Sequence, residues 1–138
     1  MNDHLDLALA AGADGLHVGQ KDLPVAAASR IAGPGMIIGC STNNPEEARR
    51  AEADGADYVS VGRLFETGSK ADTRPATTET LRAIKAAVSV PVCAIGGIGE
   101  SNIDAVIAAG ADMVAVISAV AGADDPRETA RRLAERFD

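Results

Sequence analysis

Val90-Pro91-Val92-Cys93-Ala94-Ile95-Gly96-Gly97-Ile98 decides how this chain is read. A continuous apolar run bounded by turn residues fits a short β-strand covered on both faces. Two glycines just past such a strand let a backbone approach a ligand closely, where Cβ atoms would otherwise intervene. They equally suit a plain tight turn. Further on, Met113-Val114-Ala115-Val116-Ile117-Ser118 repeats the pattern as a second buried strand followed by small residues.

Outward from these two runs, one phrase recurs. It reads Ala11-Gly12-Ala13-Asp14-Gly15-Leu16, then Asp54-Gly55-Ala56-Asp57-Tyr58-Val59, then Ala109-Gly110-Ala111-Asp112-Met113-Val114. Each copy closes an alanine-rich helical pattern, turns at a glycine suited to the position after a helix, and enters a strand. Helix, glycine and short strand in repetition is the rhythm of a parallel sheet. The spacing predicts strands near residues 15–19, 36–40, 58–62, 91–95 and 113–117. Helices are expected near 4–11, 24–32, 44–54, 77–88, 100–109 and 126–136. Asn44 before Pro45, Ser101 or Asn102, and Asp125 before Pro126 read as helix caps. Glu46-Glu47 and Arg49-Arg50 read as a solvated helix face with pairing three and four residues apart.

Composition bounds the rest. The 138 residues suffice for a single domain, residues 1–138, with a modest core. Apolar residues make up 46%, with two Phe, one Tyr and no Trp, the palette of helices packed on a parallel sheet. A formal net charge of −7 argues against nucleic acid or an anionic membrane as partner. Cys40 and Cys93 lie inside apolar runs and read as small core residues. No apolar run approaches the ~20 residues of a membrane span, and no secretory pattern precedes the start. A cytoplasmic location is therefore expected.

In (β/α)8 barrels the loops after the last two strands frequently form a phosphate site. With the two apolar runs as the seventh and eighth strands, the chain reads as a partial (β/α)8 TIM barrel. It would hold strands four to eight, with Met1-Asn2-Asp3 as the tail of strand three. A complete barrel needs roughly 200–250 residues, so a truncated gene or a misassigned start is expected. Open strand edges then invite self-association.

Asn2-Asp3, Gly19-Gln20-Lys21-Asp22, Gly39-Cys40-Ser41, Val61-Gly62 through Thr67-Gly68-Ser69-Lys70, Ile95-Gly96-Gly97 and Ile117-Ser118 follow one another in order, each at a predicted strand end. In that combination the chain resembles thiamine phosphate synthases over nearly its whole length. The resemblance implies a transferase that joins a hydroxymethylpyrimidine diphosphate to a thiazole phosphate and releases pyrophosphate. Its substrates would be small phosphorylated molecules. It implies Mg²⁺ held by Asp3 and Asp22, whose hard carboxylate oxygens suit that ion. Lys70 would face the diphosphate, and Asn2 and Ser41 would hydrogen-bond the pyrimidine substrate, with Lys70 and Ser41 nearest the chemistry. Thr67, Gly68, Ser69, Gly97, Ile117 and Ser118 would hold the thiazole phosphate.

Taken without the resemblance, each piece has a plainer reading. Asp3 caps a helix, Asp22 is a loop residue, Lys70 is a solvated charge and Ser41-Thr42-Asn43-Asn44 is a capping turn. His17 reads as a packed strand residue, and His4 as part of the first turn of a surface helix. The family's glutamine, arginine and lysine on strand two have no counterpart here. Arg63-Leu64-Phe65-Glu66 drifts towards the related thiazole tautomerases, which typically lack the metal aspartates. A tautomerase-like homologue and a non-catalytic barrel fragment that only binds phosphate ligands are the alternatives. Lys21, Arg63 and Arg74 are candidates to supply the absent positive charge.

Overall fold

The computed structural model describes residues 1–68 and 74–137. Five strands, β1 (Gly15–Val18), β2 (Ile37–Thr42), β3 (Tyr58–Val61), β4 (Val92–Ile95) and β5 (Met113–Ala115), form one parallel sheet in sequence order. The helices are α1 (Leu5–Ala11), α2 (Val25–Ala32), α3 (Pro45–Ala53), α4 (Thr78–Lys85), α5 (Ile103–Ala108), α6 (Ser118–Ala121) and α7 (Pro126–Ala134). Adjacent parallel strands joined by right-handed crossovers carry their helices on one side of the sheet. Burial agrees. Leu16, Val18, Ile38, Cys40, Val59, Val61, Val92 and Ala94 point into a core shared with Ala8, Ala28, Ala48, Leu81, Ile84, Ile103 and Val106.

The other face of the sheet is uncovered by the described residues. Alternate residues there include Ile37 at 54% exposure and Met113 at 38%, with Ile117 at 55% just beyond β5. Residues 1–3 extend the sheet beside β1. Asn2 forms a parallel bridge with His17, the Asp3 amide donates to the His17 carbonyl at 2.8 Å, and the His17 amide donates to Met1 at 2.9 Å.

Local chemistry explains the helix boundaries. Asn44 and Asp125 cap α3 and α7 by accepting the amides of Glu47 and Glu128, each with proline at the first helical position. Thr77 and Thr80 form a reciprocal capping box at α4, and Leu81 and Ile84 behind it are fully buried. The burial of each contributes about 1.5–3 kcal/mol.

Two expectations are corrected. Asn102 does not cap α5 through its side chain. It accepts from the Gly99 amide and donates to the Gly97 carbonyl, each at 2.9 Å, and so braces the loop after β4. The last strand also stops sooner than its apolar run suggests. β5 ends at Ala115, Ile117 precedes α6, and Ser118 starts that short helix.

The recurring Gly-Ala-Asp turn does more than reverse the chain. Gly12, Gly55 and Gly110 all carry positive φ after a helix. The Asp57 carboxylate accepts the Ile38 amide at 2.7 Å, and the Asp57 amide donates to the Ile38 carbonyl at 2.7 Å. Asp112 does the same to Val92 at 2.7 and 2.9 Å, and Lys85 holds its carboxylate at 2.7 Å.

Candidate functional site

Parallel strands in sequence order bring all their C-terminal ends to one rim. The structure therefore gathers most of the expected residues. Asp3 lies beside the end of β1, its amide on the His17 carbonyl. Its φ of 63° is left-handed, a conformation that aspartate tolerates better than most residues. Asp22 folds back on the same strand end, where its carboxylate accepts the Gly19 amide at 2.7 Å. Both residues thus sit at one strand terminus. Among the described residues no three His, Cys, Asp or Glu side chains converge as a metal cluster. Two carboxylates are what Mg²⁺ commonly takes from a protein, with phosphates and water completing its shell. The donor set fits that ion.

Ser41 lies half-buried near the end of β2, on the uncovered face. Its Oγ is 2.9 Å from His17 Nε2 and 3.4 Å from Ser60 Oγ. His17 Nδ1 is 2.9 Å from the Tyr58 hydroxyl, and the two rings tilt together at 5.5 Å. Register explains this. His17, Gly39 and Tyr58 lie side by side across three strands, so Tyr58 reaches His17 only by passing over Gly39. A Cβ on Gly39 would sit 2.1 Å from the Tyr58 ring, so no side chain fits there. His17 is packed and hydrogen-bonded, as its strand position suggested, but its link to Ser41 was not foreseen. Burial, and secondarily Cys93, pushes the Tyr58 phenol above its ordinary range.

The glycine pair meets its own chain. Gly96 and Gly97 have φ of 101° and 65°, and added Cβ atoms would lie 2.7 Å from Arg63 and 2.6 Å from Glu66. Leu64 and Phe65 donate backbone amides to Ile95 and Gly96 at 3.1 and 3.0 Å. The close approach that glycine permits is thus made by residues 63–66, which carries Thr67 and Gly68 to the mouth of β4. A Cβ on Gly99 would touch Ala119 at 3.6 Å, so the loop after β4 also borders α6 and Ser118. Ile117 and Ser118 are both exposed there. Ser69 and Lys70 lie outside the described residues.

Two of the three supplementary cations pair with glutamates. Arg74 makes two hydrogen bonds to Glu47, at 2.8 and 2.7 Å, and Arg63 pairs with Glu66 at 3.5 Å. Lys21 has interactions of its own. Glu47 also accepts the Asn43 amide at 2.8 Å, and Arg50 donates to Gln20 at 3.2 Å. Glu47 and Arg50 therefore reach across to neighbouring loops, where pairing within the helix was expected. The Arg74 hydrogen bonds hold the Glu47 carboxyl below the ordinary glutamate range. Asn43 Oδ1 is buried without a hydrogen-bond partner among the described residues, an acceptor at the rim that sequence reading did not single out.

Comparison with known proteins is consistent along the whole chain. A family model described as thiamine monophosphate synthase matches residues 1–120. The chain is 57% identical to the thiamine-phosphate synthase of Moorella thermoacetica, covering 98% of this chain and 65% of that protein. It is 54% identical to that of Methanoculleus marisnigri, covering 99% and 65%. A solved structure of thiamine phosphate pyrophosphorylase from Pyrococcus furiosus superposes with a TM-score of 0.89 at 44% identity, covering 99% of this chain and 65% of that one. The chain thus spans about 65% of the length of these relatives.

Proposed function

The chain belongs to the thiamine monophosphate synthase family, and on that premise we propose that it serves the coupling of a hydroxymethylpyrimidine diphosphate to a thiazole phosphate. In that reaction the bond from carbon to the diphosphate oxygen breaks, with its electron pair leaving on pyrophosphate. The thiazole nitrogen lone pair then forms the new bond to carbon. The observation that carries the reading is the common rim on which Asp3, Asp22, Ser41, Thr67, Gly97 and Ser118 end successive parallel strands or their loops.

The five strands are read as strands four to eight of a (β/α)8 barrel, with residues 1–3 in the place of the end of strand three. The uncovered, partly apolar sheet face supports this. Asp3 and Asp22 would hold Mg²⁺, which when bound offsets negative charge developing on the departing pyrophosphate. Asn2 and Ser41 present hydrogen-bonding groups to the pyrimidine side. Thr67, Gly68, Ser69, Gly97, Ile117 and Ser118 surround the thiazole phosphate with hydroxyls and amides that hold a phosphate without attacking it. Lys70 is assigned to the diphosphate by the resemblance alone. No helix among the described residues is long and apolar enough to cross a membrane.

Calorimetry tests the arrangement in two halves. Pyrophosphate should bind in the presence of Mg²⁺ and lose that binding in Asp3→Ala and Asp22→Ala, while thiazole phosphate binding survives in both. Unchanged pyrophosphate binding in the two variants removes the metal assignment. Formation of thiamine phosphate from both substrates tests the coupling itself.

A further inference from the structure

In the loop after β4 the protein takes up the carbonyls and leaves amides over. The Gly96 carbonyl accepts the Phe65 amide at 3.0 Å, and the Gly97 carbonyl accepts Asn102 Nδ2 at 2.9 Å. The Gly99 carbonyl accepts the backbone amides of Asn102 and Ile103 at 3.1 and 3.0 Å. Gly99 in turn donates its amide to Asn102 Oδ1 at 2.9 Å. The amides of Gly97 and Ile98 have no hydrogen-bond partner among the described residues. Their direction follows from peptide geometry, because in a planar trans peptide the N–H points opposite to the preceding carbonyl. Both peptides are trans. The Gly97 N–H therefore points away from Phe65, and the Ile98 N–H points away from Asn102. The Ile98 side chain, 4% exposed, ties the segment to the core between them. Successive amides presented in this way make a concavity suited to an anion.

We infer that Asn102 is a positioning residue for the thiazole phosphate, holding the Gly97 carbonyl back so that the Gly97 and Ile98 amides both face the phosphate oxygens. Gly97 lacks a side chain to resist rotation of the peptide that follows it. Turned over, that peptide would present a carbonyl oxygen to the anion and repel it. The asparagine side chain suits the task because it carries a donor and an acceptor together. Its orientation is set by its partners, a carbonyl on one side and an N–H on the other. Asn102 itself need not touch the ligand. The inference rests on the thiazole phosphate reading above and adds to it the residue that fixes the polarity of the loop.

Two measurements on the whole chain test it. In amide ¹H–¹⁵N spectra of the wild-type chain, thiazole phosphate should move the Gly97 and Ile98 protons downfield and leave Gly99, already bonded to Asn102, in place. Calorimetry then reads Asn102→Ala, which should bind thiazole phosphate about three- to tenfold more weakly, the scale of one hydrogen bond. Pyrophosphate binding with Mg²⁺ should stay unchanged in that variant, which a general loss of folded chain would not allow. Should Asn102→Ala fail to fold, Asn102→Asp replaces it, since aspartate keeps the acceptor for Gly99 and removes only the donor to Gly97. Gly97 and Ile98 amides left unmoved by thiazole phosphate that does bind overturn the inference. Wild-type affinity in either variant, or equal losses for the two ligands, does the same. If the wild-type chain does not bind thiazole phosphate at all, the reading of that half of the site fails, and the role of Asn102 falls with it.

Discussion

Replacing Glu47 with Gln tests how the loop between β3 and α4 is anchored. Glu47 receives both Arg74 guanidinium nitrogens at 2.7–2.8 Å and the Asn43 amide at 2.8 Å. Glutamine can still accept from Asn43, but it loses the charge and the paired geometry. Hydrogen bonds to charged groups contribute about 1.5–3 kcal/mol, and exposed pairs about 1 kcal/mol or less. Glu47 is 15% exposed and Arg74 is 54% exposed, so an intermediate coupling of about 1–2 kcal/mol is expected. A double-mutant cycle with Arg74→Gln, read from urea midpoints, isolates that term. Its pH dependence carries a sign. The folded carboxyl titrates below its unfolded value because of Arg74, so the stabilisation is complete above the unfolded pKa. It is lost as pH falls through the folded pKa. The coupling should therefore be full at pH 7 and vanish in strong acid. A coupling within about 0.3 kcal/mol of zero at neutral pH, inside the scatter of independent sites, would show that the anchor is only apparent.

Gly39→Ala should cost about 1–3 kcal/mol, because the new Cβ meets the Tyr58 ring at 2.1 Å. Combining it with Tyr58→Ala should remove most of that increment, and an undiminished cost in the double variant would locate the strain elsewhere. Leu81→Ala, at a fully buried site under α4, should lower stability by about 2–5 kcal/mol in urea unfolding. Cys40 and Cys93 have thiols pushed up to about 11, mainly by burial, with Glu47 adding to the effect at Cys40. Both should resist iodoacetamide in the folded chain at pH 8 and react once urea unfolds it. Rapid labelling of either in native buffer would contradict their packing.

The strands and helices were legible because this sheet is built from local signals. Apolar runs of Val, Ile and Cys mark β2 and β4, Gly12, Gly55 and Gly110 end helices, and Asn44 and Asp125 cap them. α6 was hidden because Ile117 and Ser118 continue the apolar run of β5, so composition gave no sign of a bend there. At the rim, the repeated parallel strand order was enough to expect Asp3, Asp22, Ser41 and Gly97 at or just past strand ends on one side of the sheet. Contacts that depend on register were out of reach. His17 meets Tyr58 only because Gly39 lies between them, and Glu47 meets Arg74 only because the loop after β3 returns over α3. The glycine pair was read as room for a ligand, and on the side where a Cβ would stand the structure places Arg63 to Glu66, a contact that the sequence did not announce.

The paired bonds from Asp57 to Ile38 and from Asp112 to Val92 act as pins on sheet alignment. Each acidic side chain finds an amide only when its strand lies at one setting against its neighbour. A slip of one residue would unseat the pin and, because strand side chains alternate, turn Cys93 and Ile95 towards the helices and Val92 and Ala94 towards the open side. The acids that punctuate the repeat thus keep a sheet of short, similar, valine-rich strands from assembling out of step.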